Sequence, residues 1–185
     1  MNTVITKVLT EITTSVSQVS IDSLTQAQTM MTGSKRIFLA GAGRSGLCMR
    51  SLGMRLMHLG KSAYVVGETS TPSIQAGDLL ILGSGSGRTD SLLIYAQKAR
   101  NQDADILLFT TDWGSPLAEL SHHLVLVPAP SYQQPQTKCS FNSLQPLGSL
   151  FEQSLLILCD CLTLGLMESM AVGVDFMKTR HANLE

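Results

Sequence analysis

The chain has 185 residues, of which 44% are hydrophobic and 15% charged, with a formal net charge of −1. That length suits one compact domain with helical extensions and supplies enough apolar residues for a real core. The near-neutral balance argues against nucleic acid as a partner and favours a small molecule.

Residues 1–35 contain no apolar run of signal-peptide length, since Lys7, Glu11 and Asp22 lie among threonines and serines. This predicts a cytoplasmic protein. Val4, Ile5, Val8, Leu9, Ile12, Val16 and Val19 recur near a 3.6 period, the pattern of one or two amphipathic helices packing on the remainder of the domain. Residues 36–40 then read as a strand, ending in the loop GAGRSG at 41–46. The helix after it runs to about Leu59, Gly60 stops it, and residues 62–66 form a second strand.

A linker, 67–77, holds Pro72 and leads into the apolar run 79–82, which stops at Gly83-Ser84-Gly85-Ser86-Gly87. A helix from about Ser86 to Arg100 comes next, then a strand over 105–110. Ser115 before Pro116 is an N-cap with proline at the first helical position, and 123–127 reads as the fifth strand. Strands alternating with helices, apolar enough to be covered on both faces, predict an α/β fold with a parallel sheet of about five strands over 36–127. The loop 128–147, with Pro128, Pro130, Pro135 and Pro146, is long enough to suggest an active-site role. Residues 148–185 supply a long apolar helix and a tail. Its most apolar stretch, 155–167, is broken by Asp160 and falls short of the roughly 20 residues of a membrane span. It reads as a buried helix, with part of its surface available to another subunit. Cys48, Cys139, Cys159 and Cys161 form neither paired CxxC motifs nor a disulfide framework, so they are expected as buried thiols without a metal.

Two loops carry chemistry. In residues 83–89, Gly83, Gly85 and Gly87 allow close backbone approach to a ligand. Ser84, Ser86 and Thr89 supply hydroxyls, and the next helix presents free N–H groups. Such a loop suits a phosphate. GAGRSG matches GxGxxG between a strand and a helix, with Glu68 about 20 residues on, which is the dinucleotide fingerprint in its context. Against it stand the short chain and the second Ser/Gly loop, and GSGSGRT does not align with a P-loop. The alternative is that both loops serve one anion beyond the strands' carboxyl ends, with Ser45, Ser84, Ser86 and Thr89 converging on it. Arg44, Arg50, Arg55, His58 and Lys61 are unbroken by any acid, which favours an anion nearby or else forms a solvated basic face.

Glu152 has two readings that do not exclude each other. Ser149-Leu150-Phe151-Glu152 is a capping box, and a carboxylate after a long loop beside Phe151 suits a general base. His58 at a helix end suits the dipole there. His122 and His123 diverge at a strand start as surface imidazoles, and His181 stands in the tail.

GAGRSG, RLMHLG, GSGSGRT, QPLGSLFEQ and the terminal RHANLE together resemble the sugar isomerase (SIS) domain family, and within it the 6-phospho-3-hexuloisomerases. One departure is Arg88, where such loops usually carry Glu. The resemblance implies a single SIS domain, a three-layer α/β/α sandwich with a five-stranded parallel sheet and additional N- and C-terminal helices. It implies a homotetramer with active sites near subunit interfaces, and no cofactor or metal. The reaction implied is interconversion of D-arabino-hex-3-ulose 6-phosphate and fructose 6-phosphate through an enediolate, as in the ribulose monophosphate route of formaldehyde fixation. Glu152 matches the family's base. Ser45, Ser84, Ser86 and Thr89, with the loop backbone through Gly85, Gly87 and Arg88 and with Arg44 beside it, would hold the phosphate. His181 from a neighbouring subunit would open the sugar ring or move a hydroxyl proton. A non-catalytic sugar-phosphate sensor and an isomerase of arabinose 5-phosphate or sedoheptulose 7-phosphate remain alternatives.

Overall fold

The structure, a computed structural model, describes residues 1–130 and 142–184. Helices α1 (Asn2–Ser17) and α2 (Ile21–Gly33) precede β1 (Ile37–Gly41), α3 (Gly43–His58), β2 (Ala63–Val65) and β3 (Leu79–Gly83). Then come α4 (Asp90–Arg100), β4 (Asp105–Thr110), α5 (Pro116–Leu120) and β5 (His123–Leu126), succeeded by α6 (Ser149–Ser169) and α7 (Val174–Thr179). The five strands pair in the order β2-β1-β3-β4-β5, all parallel.

The layers arise from alternation along the strands. Ile37, Leu39, Leu79, Ile81, Leu107 and Phe109 bury one face of the sheet against α1, α2, α3 and α6. Phe38, Ala40, Leu80, Leu82, Ile106 and Leu108 bury the other against α4 and α5. This is the expected three-layer sandwich. Ser115 caps α5 by accepting from Ala118 N–H, with Pro116 at the first position, as its residues predict.

Several local expectations are corrected. The helix anticipated from about Ser86 starts at Asp90, because residues 84–89 are folded into a loop of their own. His58 ends α3 but is buried; burial, with His181 and Arg55 nearby, pushes its imidazole below its ordinary value and opposes the charge that would suit the dipole. His122 is exposed, as expected, although its ring nitrogen accepts from Ile106 N–H, whereas His123 is half-buried and meets Ser23 of α2, so it is a packing contact rather than a free surface group. Cys48 and Cys159 are buried while Cys161 is exposed, and Cys139 lies outside the described residues. Helix α6, expected to open near Ser149 and run to about Met170, does so over Ser149–Ser169. At 21 residues the whole helix, unlike its stretch 155–167, meets membrane-span length and composition, yet it packs on α1, α2 and α3 as the buried helix expected.

At the opposite end of the sheet from the loops, Asp78 is buried beneath Arg36, which donates to its carboxylate from Nε at 3.0 Å and from a terminal nitrogen at 2.6 Å. Burial pushes this carboxyl up, but Arg36, Gln75 N–H and Lys35 together carry it below the ordinary 3.8. A depressed folded-state value means stability that is present above about pH 4 and lost as pH falls through the folded value. Asp78→Asn is therefore expected to cost about 2 kcal/mol near neutrality, the scale of a charge-assisted bond. Urea unfolding of both proteins from pH 7 down to pH 2 should show that difference shrinking only on the acid side. A constant gap would mean the loss is one of packing.

Candidate active site

The site is set by the register of two adjacent strands. Gly41 at the end of β1 pairs with Gly83 at the end of β3, so the GAGRSG loop and the Ser/Gly loop leave the sheet side by side at its carboxyl edge. The strand order reverses direction between β1 and β3, the place where open parallel sheets form their ligand crevice.

Glycines bring α6 down onto this edge. A side chain at Gly83 would meet Leu155 and Met49, and one at Gly85 would lie 3.1 Å from the Phe151 ring. With hydrogen at both positions, the first turn of α6 packs directly over the third-strand loop. That places Glu152 beside it. The resulting cleft, about 220 Å³, is walled by Ala42 to Ser45, Ser84 to Ser86, Pro130, Gly148, Phe151 and Glu152.

One wall is a set of donors. Ser84 Oγ accepts from Gly87 N–H at 3.2 Å, and Ser86 Oγ accepts from Arg88 N–H at 3.3 Å. Each hydroxyl keeps its own proton to donate. Ser45, in the first turn of α3, adds a third hydroxyl at the helix N-terminus, where the partial charge favours an anion. Thr89 stands behind Ser84, 3.4 Å from its hydroxyl, and does not line the cleft. Gly87 and Arg88 also lie outside the lining: Gly87 turns the loop at φ +63°, and Arg88 points to Asp112.

The facing wall carries Glu152. Gly148, not Ser149, is the N-cap of α6, and among the described residues no side chain caps that end. The anticipated capping box is therefore absent, displaced by one residue, and the carboxylate is not spent on helix N–H groups. Arg44 Nε donates to Glu152 Oε2, while Oε1 has no donor among the described residues. The side chain is 18% exposed, so it reaches the cleft while remaining mostly covered.

The basic residues that follow, in α3 and just past its end, do not line this cleft. Arg50 pairs with Glu68 at 2.7 Å, which also occupies the acid expected to meet a ribose. Lys61 donates to Thr32 and Ser34 carbonyls at the end of α2. His181 is not brought to Glu152 within the chain; it stacks on His58, ring centres 5.3 Å apart, in a separate hollow of about 420 Å³ between α3, α6 and α7. Pro130, Gly148 and Phe151 are lining residues not singled out from the sequence for this role, although Phe151 was legible as Glu152's neighbour. The loop residues 131–141, Pro135 among them, lie outside the described residues.

A family model described as the SIS domain matches residues 30–156, a stretch that includes both loops and Glu152. The chain belongs to the SIS domain family. The 3-hexulose-6-phosphate isomerase of Bacillus subtilis is 39% identical over 181 residues, covering 98% of this chain and 97% of that one. The Mycobacterium gastri protein of the same name is 45% identical over 150 residues, covering 81% and 74%. A solved Methanococcus jannaschii protein, whose structure is described as inferring a function of 3-hexulose-6-phosphate isomerase, matches with a TM-score of 0.79 at 35% identity, covering 89% of this chain and 86% of that one. SIS membership fits the crevice position and gives no support to the dinucleotide reading of GAGRSG.

Proposed function

We propose that this SIS-family protein is a 3-hexulose-6-phosphate isomerase, interconverting D-arabino-hex-3-ulose 6-phosphate and fructose 6-phosphate. The observation that carries the reading is the placement of one carboxylate, Glu152, across a small cleft from a hydroxyl-rich phosphate cradle, in a chain 39% to 45% identical to proteins of that name. The 6-phosphate sits against Ser45, Ser84 and Ser86 and the start of α3, with Gly85, Gly87, Arg88 and Thr89 supplying the loop backbone behind them. That remote anchor orients the reacting carbons, so binding energy far from the chemistry serves the rate.

Glu152 then removes the proton from carbon 3 of fructose 6-phosphate. Electrons of that C–H bond form the carbon 2–carbon 3 double bond, and the carbon 2 carbonyl becomes the enediolate oxygen. The hydroxyl proton on the carbon 3 oxygen then passes to the carbon 2 oxygen. As the carbon 3 carbonyl forms, the double-bond electrons take the proton back from Glu152 at carbon 2, which leaves the ketone at carbon 3 and a hydroxyl at carbon 2. Arg44, held at the carboxylate, places positive charge beside the developing oxyanion. For His181 to act in ring opening it must come from another subunit, since its own chain holds it away from Glu152. The exposed Leu156, Ile157 and Leu164 of α6 favour such self-association, up to the expected homotetramer. A cytoplasmic enzyme of the ribulose monophosphate route fits this chemistry.

The test is to incubate the protein with fructose 6-phosphate in deuterated water and follow the sugar by NMR. Deuterium at carbon 3 together with appearance of the 3-hexulose phosphate is expected. Binding without exchange would instead mark a sensor, and exchange with a different product would reassign the sugar.

A further inference from the structure

Behind the Ser/Gly loop stands a brace built by the end of β4. Gly85 carbonyl accepts from Thr110 Oγ1 at 3.2 Å, Thr111 Oγ1 at 2.8 Å and Thr111 N–H at 3.0 Å. Farther along the loop, Arg88 donates from a terminal nitrogen to Asp112 Oδ2 at 2.9 Å. Asp112 is buried, and its other oxygen accepts from Gly114 N–H at 3.0 Å. Its backbone N–H donates to Thr110 Oγ1 at 3.2 Å, joining the ion pair to the bonds on Gly85. Asp112 is thus fixed from three sides and turns Arg88 away from the cleft.

A cradle binds an anion well when its donors are aimed before the anion arrives, since order imposed on binding subtracts from affinity. This loop alternates Gly and Ser from Gly83 to Gly87, so its free backbone has more freedom to lose than most. A fixed partner on the neighbouring strand supplies the missing order. We propose that Asp112 is a positioning residue for the anion cradle, acting through Arg88 to hold residues 84–89 in the form that presents Ser84 and Ser86. This rests on the reading of the cleft as a sugar-phosphate site.

Two effects of removing the Asp112 charge have opposite signs. By Coulomb attraction alone, deleting a negative charge near the cradle tightens an anion; loss of the brace loosens it. Asp112→Asn is therefore measured by calorimetry with inorganic phosphate and with fructose 6-phosphate, and by steady-state kinetics. Expected are Kd values and KM raised about tenfold, the size of a coupled pair's loss, with kcat within about twofold. Thr111→Val, which changes no charge and deletes one bond to Gly85, is expected to weaken both ligands in the same direction.

Unchanged or tighter phosphate binding by folded Asp112→Asn overturns the proposal, as does a fall in kcat with KM unmoved. If Asp112→Asn does not fold, Thr111→Val decides, and wild-type affinity in that variant overturns it. Because phosphate binding is read without turnover, a protein that binds through the brace but does not isomerise fails only the earlier reading. Wild-type protein that binds neither anion overturns both.

Discussion

Glu152→Gln is expected to lower kcat by about a thousandfold, within the range found when a general base is removed, and to abolish deuterium exchange at carbon 3. Fructose 6-phosphate should still bind, within about threefold of wild type, because the phosphate anchor on Ser45, Ser84 and Ser86 is untouched. The fold should survive too. Arg44 is 60% exposed in its pair with Glu152, and an ion pair with one partner so open to water contributes about 1 kcal/mol or less. The amide keeps the shape and still accepts from Arg44, so what it loses is the ability to take a proton. Kinetics, exchange and calorimetry on the same preparation separate the outcomes. Undiminished turnover would move the base to another residue. Lost binding alongside lost turnover would make Glu152 a positioning group.

Much of this was legible in the sequence because it depends on local chemistry. The apolar runs in 79–82 and 105–110 fix buried parallel strands, and Ser115-Pro116 fixes a helix start to the residue. The pairing of the two loops could also be anticipated from the strand-end rule. Contacts between distant segments decided the rest. Whether Ser149 or Gly148 caps α6 depends on how the preceding chain enters, since Ser143, Leu144 and Gln145 are gathered by Glu11 of α1. That choice frees Glu152 from capping. The basic run 44–61 gave no sign that Lys61 would serve the end of α2 or that Arg50 would take Glu68, because their partners lie 29 and 18 residues away. Asp112 was invisible for the same reason: an acid in a turn is ordinary until Arg88 is found beside it.

Gly46→Ala shows which contact the GAGRSG motif serves. Gly46 lies in the first turns of α3, where helix propensity alone favours alanine by about 1 kcal/mol. Packing opposes it. A methyl group at Gly46 would sit 2.6 Å from the Gly41 carbonyl oxygen and 3.1 Å from its carbon, and one at Gly41 would sit 2.8 Å from Gly46 N. These are backbone atoms on both sides, so no side chain can swing away; β1 and α3 must separate. Overpacking of this kind reaches about 3 kcal/mol, which outweighs the propensity gain. The net expectation is a loss of about 2 kcal/mol in urea unfolding, the difference of these two terms. Phosphate affinity should fall about tenfold or more, because Ser45 moves with the helix while Ser84 stays with β3. Gly33→Ala in α2, where the added methyl meets open space, is the control and should be neutral or slightly stabilising. A Gly46→Ala protein as stable as wild type, with its phosphate affinity intact, would show that the helix and strand do not need this close approach. A loss confined to Gly46→Ala would give the third glycine of the motif its meaning here, as helix-to-strand packing that aligns two anion-binding loops.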